Sequence, residues 1–186
     1  IYQGEQRDYN PDGDSRMKQV QQISLRAMEP EDLDLLYRIE NDESMWGMSL
    51  TNVPYSRFVL HEFMSDTTGD IYTDKQVRLI VEDDRHQPIG LADIMKFDPK
   101  NQKAEIGIII CKSCRCQGYA KAAVEHLHQY AHDTLHLHQL YAVVAVENEA
   151  SLHLFQGMGY RQTGSLRDWL FDGKTYHDAI VLQRLL

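Results

Sequence analysis

Between Ala104 and Val146 the chain runs through an apolar strand, a loop of small residues, an amphipathic helix and a second apolar strand, and no other stretch restricts the fold as tightly. Ala104 to Cys111 reads as a strand ending in three isoleucines, and Leu140 to Val146 as another, β-branched and apolar. Between them Ala122, Ala123, Leu127, Tyr130, Ala131 and Leu135 recur at helical spacing on a helix that begins near Gly118. Two strands linked through a helix cannot form a hairpin. The strand, helix and strand read as a β-α-β unit whose two strands should lie parallel, joined by a right-handed crossover.

The remaining elements fit around this unit. Gln22 to Arg26 alternates as a strand, and Leu33, Leu36 and Ile39 make a helical stripe after Pro30. Pro54 to Met64 reads as a second helix. Gln76 to Glu82, Ile89 to Phe97 and Ala104 to Cys111 are three strands separated by short polar turns, which implies an antiparallel meander. A short helix starts at Asn148 and runs to Phe155, Gly157 and Gly159 end it, and strands near Tyr160 to Phe171 and Tyr176 to Leu182 close the chain around an Asp172-Gly173 turn. Residues 1–16 carry no apolar periodicity and read as a tail or expression remnant ahead of Met17. Residues 17–186 form one domain.

Charge and cysteine usage narrow the functional classes. With 19 basic against 28 acidic residues the net charge is −9, the opposite of a nucleic-acid-binding footprint, so no nucleic-acid partner is expected and a cationic or neutral small molecule fits better. The longest apolar runs are about six residues, against roughly 20 for a bilayer span, so no membrane partner is expected either. Cys111, Cys114 and Cys116 are too few and too crowded for a disulfide framework, and reduced thiols in the cytoplasm are the simplest reading.

The loop Arg115-Cys116-Gln117-Gly118-Tyr119-Ala120 sits where a strand hands over to a helix, so unpaired N–H groups and the positive end of the helix dipole meet at a point kept open by small residues. This loop resembles the Q/R-x-x-G-x-G/A motif with which the GCN5-related N-acetyltransferases (GNAT family) hold the pyrophosphate of coenzyme A, with Arg115, Gly118 and Ala120 at its fixed positions. The resemblance extends from Ile23 to Leu185 through the Glu105 strand, Asn148-Glu149 and Gly157-x-Gly159-Tyr160. Within the family the chain is most similar to the branch of spermidine acetyltransferases and enzymes that acetylate ribosomal-protein N-termini.

That resemblance implies an α/β fold: a mixed, twisted sheet of about seven strands flanked by helices and splayed between its two parallel strands. It implies acetyl-CoA as co-substrate, with the backbone of Ile108, Ile109 and Ile110 pairing with the pantetheine arm. Amides from Arg115, Cys116, Gln117, Gly118, Tyr119, Ala120 and Lys121 would cradle the pyrophosphate, and Asn148 and the helix to Phe155 would flank the arm. Cys116 stands where a Gly is frequent, which puts a side chain in a position prone to positive φ. The activity implied is transfer of acetyl to a primary amine, favouring a small polyamine such as spermidine. A peptide or ribosomal-protein N-terminus and a non-catalytic acyl-CoA sensor are the alternatives, and a homo-oligomer is left open.

Glu105 is the expected catalytic base, because attack on a thioester needs the amine without its extra proton. Many family members protonate the departing thiolate with a tyrosine in the helix after the Asn, and here that position is Phe155, which has no proton to give. Tyr160 is expected in the core. Glu40, Asp42 and Glu43, with Trp46 and Tyr55, could present charge and aromatic faces to a cationic amine, or simply form a solvated helix end. His128, His132 and His136 would share a helix face, but a solvated face accounts for them and no metal is expected.

Overall fold

The structure, a computed structural model, describes residues 21–43 and 53–186. The proposed tail at 1–16 and Trp46 lie outside them. Among the described residues seven strands form one sheet: β1 (Ile23–Ala27), β2 (Val77–Asp83), β3 (Pro88–Asp98), β4 (Lys103–Ile110), β5 (Gln139–Ala145), β6 (Arg161–Phe171) and β7 (Tyr176–Leu185). Their order is β1-β2-β3-β4-β5-β7-β6. Every neighbouring pair is antiparallel except β4 and β5. The crossover between them is the helix read from the sequence, α4 (Tyr119–Gln129).

Alternation along β4 sorts its side chains onto two faces. Ala104, Ile106, Ile108 and Ile110 pack with Val124 and Leu127 of α4. Ile109 packs instead with Ile80, Leu91, Leu35 and Leu36 of α1 (Leu33–Glu40), and Leu60 of α2 (Arg57–Ser65). Both faces of the sheet centre are therefore covered, which is why β4 reads as a continuous apolar run rather than an alternating one. A four-residue helix, α3 (Ile71–Asp74), capped by the Asp70 carboxylate on the Tyr72 N–H, precedes β2. The last helix, α5 (Glu149–Gly157), is capped by Asn148.

The end of α4 departs from the regular helix expected. Tyr130–Thr134 forms a π-turn, so the histidine row is broken. His128 is buried and shares a 3.0 Å hydrogen bond with the Tyr160 hydroxyl, His132 is exposed beside Asp133 at 2.7 Å, and His136 lies past the helix at φ +52°. The solvated face expected for all three holds only for His132 and His136. Among the described residues no three His, Cys, Asp or Glu side chains come together as a metal site, and no helix is long and apolar enough to cross a membrane.

Candidate active site

The parallel pairing of β4 and β5 stops early. Lys103, Ala104 and Glu105 face Gln139, Leu140 and Tyr141, and beyond the Glu105–Tyr141 rung the two strands part. The gap is bounded on one side by β4 backbone that, among the described residues, has no strand partner there. The Cys111 N–H donates to Ile89 O at 2.8 Å, and a Cβ built on Gly90 would come within 2.2 Å of Ile109 O, so the backbone of Cys111 and Ile109 is turned toward β3. Alternation then turns Ile108 and Ile110 toward the gap. Of the three isoleucines, Ile109 is the exception to the expected role, because its polar backbone is spent on β3.

At the open end of the gap, the loop before α4 has the shape its sequence suggests. Gly118 is the helix N-cap at φ +91°, and among the described residues no side chain caps the helix, which leaves its first N–H groups to an outside acceptor. Cys116 adopts φ +60°, so the sequence places a thiol-bearing side chain in the left-handed region, at a cost of roughly 1–2 kcal/mol. Gln117 folds back on Ser113 O at 3.0 Å, and Arg115 Nε donates to Ile110 O at 2.9 Å, tying the loop to the end of β4. Tyr119 and Ala120 are half-buried against the sheet, and Lys121 is exposed. A cavity of about 590 Å³ lined by Arg85, Ser113, Gln117 and Tyr119 adjoins the loop.

Asn148 and Phe155 stand differently from each other. The Asn148 Oδ1 accepts the Ser151 N–H at 3.1 Å, leaving its amide nitrogen as the free end of the side chain. Phe155, 4% exposed, packs edge-on against Tyr160 with ring centroids 5.0 Å apart. It is a core residue rather than part of the gap's surface, and Tyr160 is in the core as expected.

On the α1/α2 face lies a second cavity of about 620 Å³. Tyr55, Phe63 and Met64 wall it, and Glu40, Asp74, Asp93 and Arg78 supply its charge. Arg78 binds Glu40 at 2.6 Å and Asp93 at 2.8 and 3.0 Å, while Asp74 accepts from the Thr68 N–H at 3.0 Å and its hydroxyl at 2.9 Å, so the lining carries three carboxylates against one guanidinium. Met95 lines the same cavity and is the β3 partner of Glu105. The carboxylate of Glu105, 12% exposed, forms an ion pair with Lys96 at 2.7 Å. Of the acidic group expected to face an amine, Glu40 does line the cavity, Asp42 instead pairs with Lys112 at 2.9 Å, and Glu43 is exposed.

Two residues at this rung escaped the sequence reading. Strict alternation puts Lys96 on the face opposite Met95, but β3 bulges between Met95 and Asp98 and Lys96 takes φ +49°, which brings its side chain back to Glu105. Tyr141 reads as one more apolar residue of β5, and only the β4–β5 register places it against Glu105. The nearest sequence signal is the Asp98-Pro99-Lys100-Asn101 turn just after Lys96, where strand geometry is about to break.

A sheet with a single parallel rung set that opens over an uncapped helix N-terminus is the arrangement the loop motif implied, and the comparisons agree. The family model for an acetyltransferase (GNAT) domain matches residues 22–161. The chain belongs to the GNAT family. It is an N-acetyltransferase, and acetyl-CoA is its co-substrate. It is 29% identical over 158 residues to the spermidine N(1)-acetyltransferase of Vibrio cholerae serotype O1, covering 85% of this chain and 90% of that one. The crystal structure of spermidine N-acetyltransferase from Vibrio cholerae in complex with CoA and spermine superposes with a TM-score of 0.80 at 28% identity, covering 88% of this chain and 95% of that one. A dodecameric structure of the Vibrio cholerae enzyme in an intermediate state superposes with a TM-score of 0.76 at 30% identity, covering 88% and 94%.

Proposed function

We propose that this acetyltransferase transfers acetyl from acetyl-CoA to a primary amine of a small polyamine such as spermidine, with Glu105 as the base. The observation that carries this reading is the cavity that reaches Met95, the β3 partner of Glu105: aromatic walls and more carboxylates than guanidinium in its lining suit an aliphatic chain bearing several ammonium groups. The relatives named above act on spermidine by their own descriptions, which supports the same substrate class. Gly118 and the amides from Cys116 to Lys121, with Arg115, hold the pyrophosphate at the open end of the gap, and Ile108, Ile110 and the Asn148 amide line the path of the arm. The amine enters from the α1/α2 face and meets the thioester at the closed end. Direct attack needs no acetyl-enzyme.

The enzyme works in the cytoplasm, where its three free cysteines stay reduced, and it assembles into a homo-oligomer as the Vibrio cholerae enzyme does. Acetyl-CoA turnover is to be measured by released thiol across spermidine, spermine, simple diamines, monoamines and peptides with free N-termini. The reading predicts the highest kcat/KM for amines carrying two or more positive charges. A peptide N-terminus as the best acceptor would overturn the substrate class, and no turnover with any amine would favour an acyl-CoA sensor.

A further inference from the structure

Phe155 is buried in the core and carries no proton donor, so it does not protonate a departing coenzyme A thiolate, and any protein donor for that step has to stand at the closed end of the gap. Anchored at the loop, the arm runs back along β4 from Ile110 to Glu105, five residues or roughly 16 Å of strand at ~3.3 Å per residue. Its reacting end therefore arrives at the Glu105–Tyr141 rung. Paired residues on adjacent strands project from the same face, so the Tyr141 phenol and the Glu105 carboxylate stand side by side, and the bulge brings the Lys96 ammonium onto the same carboxylate at 2.7 Å. Left-handed backbone at a lysine is a strained choice. Here its product is this contact.

We propose that Tyr141 is the catalytic acid of the reaction, working as a relay with Glu105, and that Lys96 is the positioning residue that fixes the Glu105 carboxylate toward Tyr141. The inference rests on the reading of Glu105 as the base. As the amine nitrogen bonds to the thioester carbon, Glu105 takes up the proton that nitrogen sheds. As the carbon–sulfur bond breaks and sulfur leaves with the electron pair, the Tyr141 hydroxyl gives it a proton. The tyrosinate regains a proton from the Glu105 carboxylic acid across the rung. One amide and one thiol result, and both side chains return to their starting states.

The surroundings of Tyr141 agree with a group that stays protonated until it is used. Burial raises its pKa first and the adjacent Glu105 charge raises it further, while Lys96 works in the opposite direction. Lys96 in turn is held charged by Glu105.

Two measurements test the relay. In the free protein, ultraviolet titration of tyrosinate should show a high-pH component that Tyr141→Phe removes, that Glu105→Gln moves to lower pH and that Lys96→Met moves to higher pH. In steady state, Tyr141→Phe should lower kcat by about 10²-fold or more at saturating substrates with little change in the amine KM or in acetyl-CoA affinity. Lys96→Met should lower kcat less, with Lys96→Arg recovering most of the loss. If Tyr141→Phe keeps wild-type kcat while Glu105→Gln is slow, the relay is wrong and the base assignment stands. If both variants keep the wild-type rate, the base assignment falls with it. A tyrosine component unmoved by Glu105→Gln and Lys96→Met would also overturn the relay.

Discussion

His128 offers the most direct check on how the core holds α5 beside the gap. Its imidazole is 8% exposed, shares a 3.0 Å hydrogen bond with the Tyr160 hydroxyl, and through Tyr160 touches Phe155 of α5. Burial, aided by the Arg184 charge, lowers its pKa from 6.5 to about 4. The unfolded chain therefore binds a proton that the folded one refuses. His128 contributes stability that is fully present above pH 6.5 and is lost as the pH falls toward 4. At about 1.4 kcal/mol per pKa unit, moving from about pH 7.5 to about pH 5 costs the folded state on the order of 2 kcal/mol through this group alone. His128→Gln keeps a partner for the Tyr160 hydroxyl but cannot titrate. Urea unfolding of both proteins at the two pH values isolates the effect, because the carboxylates common to both cancel in the difference. Wild type should lose about 2 kcal/mol more than His128→Gln on acidification. Parallel losses would refute a buried neutral imidazole at this position.

Two further substitutions test the site. Gly118→Trp should abolish acetyl-CoA binding in calorimetric titration, since a bulky side chain at the N-cap, with φ +91°, occupies the space beside the helix amides; normal affinity in the folded variant would remove the loop from cofactor binding. Phe155→Tyr should lower stability by on the order of 1–3 kcal/mol in denaturant unfolding, because it places a hydroxyl in a packed apolar site, and should leave kcat no higher than wild type. A faster variant would mean that the ring reaches the leaving thiolate after all.

What was legible in the sequence follows from what periodicity can carry. The strand, loop, helix and strand from Ala104 to Val146 show in their apolar spacing, and with them the parallel pair and the uncapped Gly118. Helix α3 is only four residues long and is set by the Asp70 cap, too short for a stripe to register. His128 was indistinguishable from its neighbours until the π-turn and Tyr160 separated it from them. Ile108, Ile109 and Ile110 look alike as side chains, and only the β3 register shows that the middle one spends its backbone elsewhere. Lys96 and Tyr141 were missed for one reason: contacts across strands depend on bulges and register, which a single-strand pattern does not encode.

That Glu105 receives the amine's proton at the closed end of the gap is tested most directly by the pH dependence of kcat for Glu105→Gln with spermidine and saturating acetyl-CoA. An amide at this position keeps the shape but cannot accept the proton, so the variant should be slowed by about 10²-fold or more near neutral pH. The deficit should shrink as the pH rises and the amine loses its proton to solvent. A variant whose rate and pH profile both match wild type would contradict the assignment.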